Sequence, residues 1–461
     1  LLTEEPINPR SDDIWLGVEL PEHHREQHAD EYRYLSALGL QVGLTAPNEL
    51  PGSVSRQVEI LESLLPAPSD EQQPQPEPQL LIDISELVRH DAATGIQRVV
   101  RNIIDSWNKE PPAGYHVRLI YAAVHGTGYF YARSFSLAQL GWPVDLFPGS
   151  PVQLKPGDLY LGLDLQPTVV INHRDTYRRW REQGVHTAFV VYDLLCVHYP
   201  EYFSEGAEQG FSRWLHTVSE SHQLICISQA VAHQLQEWME QQLPGAIESA
   251  QLPHISWFHL GAELDNLPSS AQPDQRPLPE ERQAVPTLLM VGTLEPRKGH
   301  QQALAACEQL WKSGHDVNLV IVGKPGWHTE KLCKALHQHP EKGHRLFWWQ
   351  ACDDATLAAL YRTSSALLAA SYDEGFGLPI IEAARYGLAI IARDIPVFRE
   401  VAGQHASYFQ AATPESLAHA LATWLTEYIA GQHIGAEGLQ WQTWQQSAAQ
   451  LAARLPAARQ T

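Results

Sequence analysis

The chain has 461 residues, with 32 Lys and Arg against 53 Asp and Glu, a formal charge of −21. That length is about three domains' worth of sequence, and the negative field repels polyanions, which excludes a dedicated nucleic-acid binder. No apolar run approaches the roughly 18 residues a spanning helix needs. Five cysteines (Cys196, Cys226, Cys307, Cys333, Cys352) without a C-x-x-C pair suit free thiols in a reducing compartment, so cytoplasm is the expected location. The chain opens on Leu1 with no signal-like stretch, as a piece of a longer polypeptide would.

In chain order, residues 1–64 carry a helix-like stretch from Glu22 to Leu38 and turn-like Gly39 and Gly43, with no assignable role. Residues 65–79, with Pro66, Pro68, Pro74, Pro76 and Pro78, read as a linker. Residues 80–265 open on the apolar Leu80–Ile84 and then alternate strands (Val117–Ala123, Asp158–Leu163, Thr187–Val191, Leu224–Ile227) with helices (Gly95–Asn108, Arg174–Gln183, Gln229–Gln242). A second Pro-rich linker, 266–286, leads to residues 287–435, which open on Thr287–Val291 and continue through a helical face ended by Gly314 and a buried strand Val317–Val322. This alternation predicts an α/β fold of two doubly wound, Rossmann-like domains. The tail, Pro414–Ile429 and Leu439–Leu455, reads as helical, with 436–461 set apart as a crossing helix.

The most informative segment is Ser371-Tyr-Asp-Glu-Gly-Phe-Gly-Leu-Pro-Ile-Ile-Glu-Ala383, after the predicted strand Ala366–Ala370. Gly375 and Gly377 permit a tight turn, and Pro379 suits the first residue of a helix. Such a helix aims free N–H groups at the C-terminal edge of the sheet, a site for phosphate. Glu374 precedes it and Glu382 is placed in its first turn, where carboxylates can accept from ribose or sugar hydroxyls. A helix-dipole role for Glu382 and a solvated Glu374 are the bland alternatives; the two glycines and the proline between them favour the ligand.

The second segment, Val291-Gly-Thr-Leu-Glu-Pro-Arg-Lys-Gly-His300, places Arg297 and Lys298 between Gly292 and Gly299 after a strand. There they suit a diphosphate, Arg as a fork and Lys as a compact charge. Thr94 and Gly95 follow the opening strand of the first block, and a helix cap by Thr94 accounts for these letters as well as a ligand does. No Asp-x-Asp stands at a strand end of the second block, so no metal ligand set is expected.

With these motifs in place the sequence resembles the family 4 glycosyltransferases of GT-B fold, marked by two glutamates with seven residues between them. The likeness spans residues 80 to 455, and its motifs are nearest those of bacterial polysaccharide and O-antigen mannosyltransferases. The resemblance implies two Rossmann-like domains facing a cleft, C-terminal helices crossing back, and transfer of a hexose with retention of configuration. By carry-over, Glu382 holds the ribose, Glu374 the transferred sugar, and the backbone of Phe376, Gly377 and Leu378 the sugar and phosphates, with Gly375, Gly95 and Thr293 completing the donor contacts. Many members have Arg where Thr293 stands. Val191-Tyr-Asp-Leu resembles the family's His-Asp-Leu segment beside the acceptor, which makes Asp193 and Tyr192 acceptor contacts; Tyr192 replaces the usual His. Glu374, Arg297 and Lys298 are the expected catalytic set, with front-face departure of the diphosphate and no cofactor or metal. GDP-mannose is the favoured donor. The expected partner is a growing surface glycan, free or lipid-linked, with the cytoplasmic face of the inner membrane or further domains of an assembly as further contacts. A degenerate GT-B binding module would lack a donor-site residue, and a nicotinamide oxidoreductase would show G-x-G-x-x-G after an opening strand; the sequence shows neither.

Overall fold

The computed structural model describes residues 14–16, 40–42, 77–91, 94–122, 128–132, 135, 150–244, 252–262 and 278–458. The chain divides into two compact units, residues 1–76 and 77–461. In the first, strands β1 (Ile14–Leu16) and β2 (Leu40–Val42) pair in parallel. The helix expected at Glu22–Leu38 and the turns at Gly39 and Gly43 lie outside the described residues.

The second unit holds two Rossmann-like domains. The first is a seven-stranded sheet in the order β5-β4-β3-β6-β7-β8-β9, formed by β3 (Gln79–Asp83), β4 (His116–Ala122), β5 (Tyr129–Tyr131), β6 (Leu159–Gly162), β7 (His186–Val191), β8 (Gln223–Cys226) and β9 (His254–Trp257). Only β5 runs antiparallel. Its helices are α1 (Ser85–Arg89), α2 (Gly95–Lys109), α3 (Pro167–Asn172), α4 (Arg174–Glu182), α5 (Leu195–His198), α6 (Ala207–Val218) and α7 (Gln229–Gln242). Six elements escaped the sequence reading: strands β5 and β9 and helices α1, α3, α5 and α6. The strand β9 alternates polar and apolar residues and is half-buried, so it lacks the continuous apolar run of its neighbours.

The second domain is a six-stranded, fully parallel sheet in the order β12-β11-β10-β13-β14-β15, from β10 (Thr287–Val291), β11 (Asn318–Val322), β12 (Leu346–Trp349), β13 (Ala366–Ala369), β14 (Ala389–Arg393) and β15 (Ser407–Phe409). This order has a switch point between β10 and β13, where the crossovers leave to opposite sides and a crevice opens at the strand ends. Helices α8 (His300–Lys312), α9 (Glu330–Gln338), α10 (Asp354–Thr363), α11 (Leu378–Arg385), α12 (Pro396–Ala402), α13 (Pro414–Ile429) and α14 (Trp444–Ala452) complete the chain.

The GT-B fold read from the sequence is thus the fold observed, including the return of the tail. Gln442 bridges Gly261, where a Cβ would lie 2.6 Å from the Trp444 nitrogen, and α14 packs on α2 through buried Trp444 and Leu451, with the Trp107 indole donating to the Ala448 carbonyl at 3.1 Å. One hydrophobic core runs from the inner face of the first sheet (Leu80, Ile82, Val190) through the tail to the second (Leu289, Leu367, Ile390). The segment 266–286, read as linker, is packed at its end: Leu278 is buried, and Arg282 binds Asp316 at 2.7 Å and Asn318 at 2.8 Å. A Pro-rich composition concealed these anchors, because their partners lie more than 30 positions away.

Candidate active site

The strand ends at the second sheet's switch point carry both sequence motifs. After β10 the chain turns through Gly292, whose carbonyl lies so close to Gly323 that a Cβ there would stand 1.9 Å away. A short 3-10 turn (Pro296–Lys298) then presents Arg297 and Lys298, and Gly299, at φ 73°, turns the chain into α8. A Cβ on Gly299 would lie 2.4 Å from the Ala370 carbonyl, so the loops after β10 and β13 touch through bare backbone. Tyr372 seals that contact, its N–H donating to the Arg297 carbonyl at 2.8 Å.

Glu374 sits between the two cations. Arg297 Nη1 reaches its Oε2 at 3.1 Å, Lys298 Nζ bonds Oε1, and the Ser371 hydroxyl donates to Oε1 at 2.7 Å. Burial raises this carboxyl's pKa, but Lys298 and Arg297 outweigh it and hold the group down at about 2. Arg297 also meets Glu295 at 2.8 Å; burial opposes its charge, yet Glu374 and Glu295 drive its pKa above the ordinary value. The Asp193 carboxyl faces the same cluster, raised by burial and lowered by Arg297. The cluster therefore holds two fixed cations whose partners are carboxylates, groups that a diphosphate can replace without removing the cations.

Glu382 lies one residue further into the helix than the sequence reading placed it. Gly377, at φ 94°, caps α11, so Leu378 is the first helical residue, Pro379 the second and Glu382 the fifth. A first-turn dipole role is thereby excluded. Glu382 is 3 % exposed, with Arg98 Nη1 of α2 on Oε1 at 2.5 Å and the Tyr361 hydroxyl donating to Oε2 at 2.6 Å. Burial works against the Arg98 charge and Glu382 restores it, for a net raised pKa. Burial together with Glu382 pushes the Tyr361 phenol well up, so it stays a donor.

Across the cleft the first domain closes on the glycine turn. A Cβ on Gly375 would stand 2.1 Å from the Tyr192 carbonyl, and the Ser228 hydroxyl donates to the Gly375 carbonyl at 2.7 Å. Glu400 of α12 accepts from the Gln229 and Ala230 N–H groups at 2.7 and 2.8 Å, at the N-terminus of α7.

The structure brings Arg297, Lys298, Glu374, Gly375 and Gly377 into one cluster that Asp193 faces, and sets Glu382 beside Arg98 on the same helix-bearing edge. Phe376 is 4 % exposed with its ring in the core, so only its backbone is available to a ligand. Thr293 lies on the loop between them, its methyl against Gly326. Gly95 is the first residue of α2, where a Cβ would meet nothing within 4 Å, and Thr94 forms a full capping box with Gln97. One expectation fails. Tyr192 is 3 % exposed and its hydroxyl donates to the Leu163 carbonyl at 2.7 Å, so the side chain belongs to the core and offers an acceptor nothing. Sequence reading missed Arg98, Tyr361, Ser228 and His300. His300 lines a cavity of about 30 Å³ with Lys298, Ser371 and Glu374 and is kept neutral, its pKa lowered to about 3 by burial and Lys298. Its place directly after Lys298-Gly299 was the available signal.

Residues 272–441 match the family model for glycosyl transferases group 1. The chain carries a glycosyltransferase group 1 domain. It is 41% identical over 380 residues to a serotype-specific mannosyltransferase, WbdA, of Escherichia coli, an alignment that covers 82% of this chain and 45% of that protein. The chain spans about half the length of the curated relatives it matches. Among solved structures, sucrose-phosphate synthase from Thermosynechococcus elongatus superposes with a TM-score of 0.57 at 17% identity, covering 82% of this chain and 98% of that one. Anabaena HepE, in complex with UDP and glucose, gives 0.56 at 16%, covering 81% and 98%. Both share the GT-B fold.

Among the described residues no group of three His, Cys, Asp or Glu converges to hold a metal ion, and no helix is long and apolar enough to cross a membrane.

Proposed function

We propose that this chain transfers a hexose, mannose in the favoured case, from a nucleotide-diphosphate donor to a hydroxyl of a growing O-antigen-type glycan, with retention of configuration. The observation that carries this reading is the bridging of Glu374 between Arg297 and Lys298 at the sheet's switch point, supported by the likeness to WbdA, a mannosyltransferase. A diphosphate entering there takes over the two cations and frees Glu374 to accept from the hydroxyls of the transferred sugar. Glu382 changes partners in the same way, giving up Arg98 for the ribose hydroxyls.

As the glycosidic bond to the donor breaks, negative charge grows on the leaving phosphate oxygen. Arg297 and Lys298, beside the positive end of α11, stand where that charge grows, which is where preorganised groups lower a barrier. The departing diphosphate takes the proton of the incoming hydroxyl on the same face. No carboxylate is required as a nucleophile, and the fixed cations do the work of a metal. GDP-mannose is the favoured donor, and a lipid-linked glycan at the inner face of the membrane is the favoured acceptor.

The test is incubation of the chain with GDP-mannose and a manno-oligosaccharide, with the product read by NMR. An α-linked mannose added from the α-configured donor is the expected product; a β-linked product would overturn retention, absence of transfer from GDP-mannose would overturn the favoured donor, and absence of transfer from UDP-, ADP- and dTDP-sugars as well would overturn the activity.

A further inference from the structure

Beyond the charged cluster, the loops after β7, β11 and β13 carry a run of aromatic rings that the proposed transfer chemistry leaves unused. Tyr199 and Tyr202 of the first domain stack with centroids 6.0 Å apart and planes 15° apart, and Tyr202 stacks on Tyr372 of the second domain at 6.1 Å and 27°. The Arg393 guanidinium closes the inner end of this stack, 4.3 Å from the Tyr372 centroid. Beside it Phe203 packs at 5.7 Å against Trp327, whose indole N–H donates to the Tyr202 carbonyl at 2.6 Å. Trp327 is 40% exposed, the sole aromatic among the large hydrophobic side chains left exposed in the described residues.

We infer that Trp327 and the Tyr199–Tyr202–Tyr372 stack form an outer subsite for an extended glycan acceptor, an inference that rests on the transfer reaction proposed above. A hexopyranose has a face of C–H bonds that packs on an aromatic ring and a rim of hydroxyls that needs polar partners. The rings supply the first. The exposed His198, its ring 6.4 Å from that of Tyr199, stands beside them to supply the second, while Asp373 is buried and held by Gln234 at 3.0 Å. The platform is also preorganised: a hydrogen bond and a ring contact fix the indole, so binding orders little that is not already ordered. Continuity with the reaction site sets the occupant. Tyr372 stands two residues before Glu374 and donates its N–H to the Arg297 carbonyl, so the ring stack starts on the loop that holds the cations and leads outward to Trp327. A lipid surface fits less well, because Glu201, Glu205 and Glu208 follow Tyr199 in the chain and an anionic bilayer attracts basic segments rather than acidic ones.

The experiment uses the 461-residue chain and linear manno-oligosaccharides of two to six units as acceptors, with donor hydrolysis and nucleotide binding measured alongside. The wild type should show a KM that falls as the acceptor lengthens. Trp327→Ala should raise the hexasaccharide KM about fivefold to tenfold relative to the disaccharide KM, the range an aromatic contact provides, and Trp327→Phe should restore most of that ratio. Nucleotide affinity should be the same in all three proteins. An unchanged KM ratio in Trp327→Ala overturns the subsite, and so does loss of binding to phosphatidylglycerol vesicles with an unchanged ratio, which would make the platform a membrane contact. If the wild type binds no nucleotide, the failure lies with the transfer reaction; direct titration of the hexasaccharide against wild type and Trp327→Ala, monitored by calorimetry, then decides the subsite alone, and equal affinities overturn it.

Discussion

The two Rossmann-like domains present polar groups at the same place, the C-terminal ends of their central strands, but finish them differently. In the first domain Asp83 at the end of β3 accepts from the hydroxyls of Tyr129 and Tyr160, each at 2.7 Å, and from the hydroxyl and N–H of Ser85, while Tyr177 bonds Tyr129 at 2.6 Å. Asp164, beyond β6, accepts from the N–H groups of Leu87 and Leu165. All of these donors belong to the protein's own core and have no substitute. In the second domain the carboxylate Glu374 is held by two cations, and a cation can exchange one anion for another. A saturated network of hydroxyls and amides makes a scaffold; a charge-paired one makes a site that stays folded when empty and accepts an anion when it arrives.

The largest break in this contrast should come from the cations. Arg297→Ala or Lys298→Ala should lower kcat by about 10²–10³, the cost of removing one preorganised donor, and raise the donor KM far less. A variant with near-normal kcat and only a higher KM would make that residue a binding contact.

The two carboxyls should also differ in the sign of their pH dependence. Glu374 is pulled down from 4.5 to about 2, so it adds stability above pH 4.5 that is lost as pH falls through about 2. Asp164 is pushed up from 3.8 to about 6, chiefly by burial, so the stability tied to its neutral form is complete below pH 3.8 and lost as pH rises through about 6. Each shift corresponds to about 3 kcal/mol. Denaturant unfolding of wild type against Glu374→Gln and against Asp164→Asn should therefore give difference curves of opposite slope, the first rising between pH 2 and 4.5, the second falling between pH 4 and 6. Slopes of equal sign would show that the two edges are built alike.

Glu382→Ala should weaken nucleotide binding by about 1.5–3 kcal/mol, the range for a hydrogen bond to a charged group. Calorimetry on the folded variant measures it, and an unchanged affinity would remove Glu382 from the ribose site. Smallest of all, chelation should leave transfer unaltered; complete loss in EDTA, restored by a divalent ion, would show that Arg297 and Lys298 do not suffice.

What could be read from the letters follows from how local each feature is. The glycine turn, the glutamate spacing and the Arg297-Lys298 loop are short segments bounded by apolar strands, so their place at strand ends was legible. The two doubly wound sheets followed from alternation of runs and helices, whereas the order of their strands depends on long-range pairing that no local pattern carries. Arg98 was not legible as a partner of Glu382, because 284 positions separate them and nothing in an amphipathic helix says which arginine crosses a cleft. Tyr192 misled for a related reason: its segment was right, but a tyrosine beside a strand end can turn either way, and a buried hydroxyl here satisfied the Leu163 carbonyl. The placement of Glu382 in a first turn failed by one residue, because Gly377 caps the helix and Leu378, not Pro379, is its first residue.

The account turns on the cations at the second sheet being an exchangeable site for a nucleotide diphosphate. A thermal-shift screen of UDP-, GDP-, ADP- and dTDP-sugars tests this most directly, because a ligand that binds the folded state raises its Tm. One of the four should raise the wild-type Tm, GDP-mannose first among them, and the rise should be lost or sharply reduced in Lys298→Ala. No rise with any of the four, or an equal rise in wild type and Lys298→Ala, would contradict it.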